Sequence, residues 1–147
     1  VRLSIPPAPE PRGLRIAAPL LALEGLVALG YGGYLGIMAV RIGPTGPSEV
    51  SNTPGLIIEV LLYLAFGVAL LAVGHGLWRV SGWSRSPAVL AQLLIAVVAV
   101  PLAQAAGPER FVGMALTAAG VAVLVGIFLP ASRAAFNERR LPGSATP

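Results

Sequence analysis

Four runs of about twenty apolar residues, set apart by short polar punctuation, constrain this chain more than any other feature. A helix rises ~1.5 Å per residue, so such a run matches the ~30 Å hydrocarbon core of a bilayer. The runs cover residues 14–40, 56–77, 87–105 and 111–129. In lipid the backbone must satisfy its own hydrogen bonds, and a helix does so within one segment. The expected fold class is therefore all-α: a polytopic membrane protein, its four transmembrane helices forming an antiparallel bundle. Residues 1–13 and 130–147 lie outside the runs and read as cytoplasmic tails, with proline-rich, disordered ends.

Composition points the same way. Of 147 residues 56% are hydrophobic and only 11% charged, with a mean hydropathy of +0.82. A water-soluble fold could not cover its surface with so few charges. All 10 basic residues are Arg and all 6 acidic residues are Glu, with no Cys. That excludes disulfides, thiolate metal sites and a Cys nucleophile. The bias toward Ala, Gly, Pro and Arg suggests a GC-rich genome, in which Val1 reads as a literally translated GTG start. A pI near 10.7 would suggest nucleic acid in a soluble protein. Here the arginines cluster at helix ends, where they orient a chain in a bilayer, and no nucleic-acid partner is expected.

The punctuation sets the topology. Residues 43–55 form the one long loop, rich in Gly, Pro and Ser, and read as turns. Residues 78–86 form the second loop, with Pro87 suited to the first turn of the third helix. The third, residues 106–110, is tight enough to make helices three and four antiparallel neighbours. Arg2, Arg12, Arg15, Arg79, Arg85, Arg133, Arg139 and Arg140 fall on one side, and Arg41 and Arg110 on the other. This asymmetry places both termini in the cytoplasm and the long loop outside, in a plasma (inner) membrane. Trp78, Arg79, Trp83, Arg85 and the single His75 then sit at the inner interface, His75 hydrogen-bonded to the second loop. The run at 14–40 is too long for a signal peptide's apolar core and no small-residue cleavage site follows it, so it reads as an uncleaved helix.

Polar groups within the runs are the candidates for function, because an ionisable side chain in lipid costs several kcal/mol unless paired or neutralised. Glu24 lies near the midplane and opens a stripe with Ala28, Gly32 and Gly36 at i+4 spacing. Small residues let helices approach closely, so Glu24 should face protein. Gln92 and Thr117 lie at compatible depth as its partners. Two readings stay open: a proton or cation site, or a carboxyl bonded across a helix interface. Ala118, Ala122 and Gly126 repeat the small-residue spacing on helix four, predicting tight packing between helices one and four, within or between subunits. Glu59 lies one turn inside the outer end of helix two and is expected to snorkel or to accept bonds as an N-terminal residue favoured by the helix dipole. His75 lacks the second histidine of a haem site and the further ligands of a metal site. No hydrolase, P-loop or metalloprotease motif occurs, so neither catalytic residues nor cofactors are expected. The expected partners are the bilayer, other membrane subunits or further copies of the chain, and anionic lipid headgroups at the arginine-rich face.

Residues 21–25 (LALEG), 83–94 (WSRSPAVLAQLL) and 129–136 (LPASRAAF) resemble a group of small four-span integral membrane proteins of actinobacteria, mostly without assigned function. That resemblance implies the fold and no activity. In topology the chain is also similar to the small multidrug resistance transporters, whose helix-one glutamate exchanges protons for cationic substrates. Glu24 stands at the matching position, but this chain is longer, its first loop is extended, and their glycine pattern in helix four is absent. Two functions follow from these readings: a non-catalytic subunit or accessory of a membrane complex, or a small proton-coupled transporter or channel-like oligomer.

Overall fold

The computed structural model describes residues 11–42 and 53–138. Five α-helices occur among them: α1 (Arg12–Ile42), α2 (Thr53–Trp78), α3 (Arg85–Ala103), α4 (Glu109–Phe128) and α5 (Pro130–Glu138). The first four are long and apolar enough to cross a membrane, and the chain is an integral membrane protein with an all-α four-helix bundle. The turns expected over residues 43–52, the tail ahead of residue 11 and the end beyond residue 138 lie outside the described residues.

Glycines fix the helix pairings and their directions. A Cβ on Gly25 would stand 2.9 Å from the Gly67 carbonyl oxygen, and one on Gly67 2.8 Å from that of Gly25. Gly74 lies against Ala18 and Ala22, and Gly32 against Tyr63 and Leu64. As α1 numbers rise their α2 partners fall, so the two helices are antiparallel. On α4, Gly126 lies on Gly13 and Ala17 of α1, while Gly113 touches the backbone of Leu102 and Ala103 in α3. Contact therefore runs round a ring, α1 to α2 to α3 to α4 and back, with α2 against α3 the weakest side.

One end of the ring carries Arg12, Arg15, Arg79, Arg85 and Arg133, and the far end carries Arg41 and Arg110. The core lies toward the basic end, where Leu14, Leu21, Leu70, Leu77, Val123 and Ile127 are buried together. Outside it the helices present Leu, Ile and Val to their surroundings, as Leu62, Val97 and Val98 show at 64%, 73% and 64% exposure. In water such faces would aggregate; in lipid they are solvated.

The structure adds order to the C-terminal tail. Leu129 adopts an extended backbone (φ −54°, ψ 141°) ahead of Pro130, which ends α4 and starts α5. The Ser132 hydroxyl donates to the Gly126 carbonyl at 2.7 Å, and Phe136 is buried in the core. At least to residue 138, the tail is a helix folded onto the bundle. At the other terminus α1 begins at Arg12, and buried Gly13 belongs to the bundle, not to a tail.

After α2 the Ser81 amide donates to the Gly76 carbonyl and the Val80 amide to that of Leu77, the bond pattern that closes a helix on a left-handed residue. Val80 takes that conformation (φ 53°) although β-branched, and it is packed against the core.

Candidate functional site

Glu24 and Gln92 meet inside the bundle. Glu24 is the thirteenth residue of α1, ~18 Å along its axis from Arg12. Gln92 is ~10 Å into α3 from Arg85. They stand on helices diagonal in the ring, and the long side chains bridge what the backbones do not. The Gln92 amide Nε2 donates to Glu24 Oε2 at 2.7 Å. Both residues are buried, at 8% and 2% exposure. Gly120 of α4 makes the space: a Cβ there would stand 2.8 Å from Gln92 Oε1. Three helices thus build the site, α1 and α3 supplying polar groups and α4 supplying a gap.

The pairing leaves two oxygens over. Among the described residues, Glu24 Oε1 and Gln92 Oε1 are buried without a hydrogen-bond partner. A carboxylate offers only acceptors, and the amide has spent one donor on the contact. A proton on Glu24 Oε1 supplies a donor where a carboxylate has none, and a neutral acid also removes the cost of a charge in a lipid-embedded core. The arrangement can therefore carry a proton on Glu24, or serve as a plain acid–amide clamp.

Thr117 does not join this pair. Its hydroxyl donates to the Gly113 carbonyl one turn back on α4 at 2.8 Å. Gly120, three residues further on, takes the place beside Gln92; its only sequence signal was a glycine at matching depth. The small-residue stripes also divide differently from expectation. Gly32 and Gly36 face Tyr63, Leu64 and Val60 of α2, not α4. Close α1–α4 approach occurs a helix-half away, where Gly13 and Ala17 meet Gly126. Ala28 and Ala122 are half-buried and Ala118 is exposed. The physical reason is helical drift: an i+4 row rotates about 40° per step and cannot follow one neighbour for long.

No protein-family model, curated protein or solved structure matches this chain.

The basic end holds the remaining residues. Trp78 and Trp83 are about 60% exposed, at 61% and 60%, and ring the loop between α2 and α3. Arg79 is exposed and Arg85 half-buried. The His75 ring is exposed and, among the described residues, makes no hydrogen bond; its backbone carbonyl accepts from the Arg79 amide at 3.0 Å. A loop that closes on α2 through backbone groups leaves the imidazole nothing to bond. Glu59 is exposed on α2. Near it, Tyr31 and Tyr63 meet edge to face with centroids 4.9 Å apart, an α1–α2 contact not foreseen from the sequence. Among the described residues no three of His, Cys, Asp or Glu gather as a metal site.

Proposed function

We propose that this chain is a non-catalytic integral membrane component that associates with other transmembrane helices through the outward face of α1. The observation that carries this reading is a pair of glycines. Gly25, Gly32, Gly67, Gly113 and Gly126 are each used within the bundle, yet among the described residues a Cβ on Gly30 or Gly33 would meet nothing within 4 Å. Glycine in a helix costs ~1 kcal/mol relative to alanine, and nothing among the described residues repays it at these two positions. An exposed helix notch is what a second helix in lipid needs for close approach. The arginine asymmetry supports a plasma-membrane location with cytoplasmic termini. In vesicles, fluorescence energy transfer or cross-linking between α1 helices and their partners tests the association. Gly30→Leu and Gly33→Leu should abolish it without lowering the melting temperature of the chain; unchanged association would overturn the reading.

The two orphaned oxygens at Glu24 and Gln92 favour one alternative, a proton-coupled transporter in which Glu24 titrates. In proteoliposomes under a pH gradient, such a transporter would move cationic dyes in the wild type and lose that flux in Glu24→Gln. No flux in either is expected of a structural carboxyl.

A further inference from the structure

A groove of about 470 Å³ opens at the basic end, between the start of α3, the end of α4 and α5. Arg85 stands at its mouth. The guanidinium carbon lies 5.5 Å from the centre of the Phe128 ring and 5.6 Å from that of Phe136, so two aromatic rings from different helices hold one cation in place. Among the described side chains, which do not include that of Glu138, no carboxylate pairs with it. Stacking leaves the in-plane N–H donors of a guanidinium available for a planar or tetrahedral oxyanion. The start of α3 adds to the same charge. The Ser84 hydroxyl donates to the Ser81 carbonyl, so no side-chain cap offsets the positive end of the helix beside Arg85.

The groove changes character with depth. Ser86 and Asn137 line it at the arginine's level. Leu90 and Leu93 line it further along α3, ~8 and ~12 Å from Arg85, and are 58% and 57% exposed. Trp83, exposed beside the mouth, marks the level at which indoles meet headgroups. A cation at headgroup depth joined to an apolar trough running into the hydrocarbon fits an amphiphile and not a free anion.

We propose that this groove binds one anionic phospholipid, its phosphate on Arg85 and an acyl chain along Leu90 and Leu93. The test uses the full chain in detergent, titrated with dioleoyl phosphatidylglycerol or dioleoyl phosphatidylcholine and read by native mass spectrometry. One phosphatidylglycerol per chain should be retained in preference to phosphatidylcholine. Arg85→Gln should weaken it roughly fivefold or more. Arg79→Gln removes the same charge from the same end but from an unbracketed, exposed position, and should leave binding intact. Leu93→Trp fills the trough without touching the cation and should also weaken retention. Equal retention of phosphatidylcholine, equal loss in Arg79→Gln and Arg85→Gln, or undiminished binding in Leu93→Trp would overturn the proposal. So would displacement by millimolar inorganic phosphate, which would make the site one for a free anion.

Discussion

Replacing Gln92 by Leu removes the single donor that reaches Glu24, a bond of 2.7 Å between buried groups. An interhelical hydrogen bond in a membrane contributes ~0.6–2 kcal/mol. The change also strands the carboxyl among apolar neighbours, and a buried polar group without its partner costs ~1–3 kcal/mol. Gln92→Leu and Glu24→Leu should each therefore destabilise the bundle by about 2–3 kcal/mol. The double variant should cost much less than their sum, because two apolar side chains of similar volume leave no polar group unsatisfied. A coupling of about 2 kcal/mol is expected. Glu24→Gln keeps an acceptor for the Gln92 amide and should cost no more than about 1 kcal/mol. The assay is reversible unfolding in mixed micelles with rising dodecyl sulfate, followed by the fluorescence of Trp78 and Trp83. Additivity of the two Leu variants within about 0.5 kcal/mol would refute the bond as a link between α1 and α3.

Gly67→Ala, whose Cβ would stand 2.7 Å from Leu29 Cγ and 2.8 Å from the Gly25 carbonyl oxygen, should force α1 and α2 apart and destabilise by about 1–3 kcal/mol in the same assay. Gly30→Ala, with open space around it, should raise stability of the isolated chain by up to about 1 kcal/mol. Phe136→Ala should release α5 from the core, costing about 3 kcal/mol and exposing the α5 backbone to hydrogen exchange. Reporter domains fused at Pro147 and within residues 43–55 should be active inside and outside the cell respectively. An externally active C-terminal reporter would reverse that orientation.

The spans were legible because lipid imposes one rule on every residue of a run: apolar side chains and a self-satisfied backbone. Glu24 and Gln92 were legible for the same reason, since polar side chains at matching depth have few alternatives to each other. What the sequence hid were facts of rotation. Gly32 and Gly36 share a row with Glu24, yet a drift of about 40° per i+4 step carries them onto α2 while Glu24 reaches across to α3. Thr117 lay at the right depth, but a hydroxyl can satisfy itself on the preceding turn, and it does. The helix at Pro130–Glu138 was hidden because its two anchors, Ser132 and Phe136, gain their meaning only from Gly126 and the core they meet.

The most direct test of the chain as a component of a larger membrane assembly is its mass after gentle extraction. Solubilised from its own membrane in a mild detergent or in polymer discs and analysed by native mass spectrometry, it should emerge with additional transmembrane subunits or further copies. Gly33→Leu should reduce that assembly to the single 15.0 kDa chain. Recovery of the wild type only as a free monomer with bound lipid would contradict the proposed role.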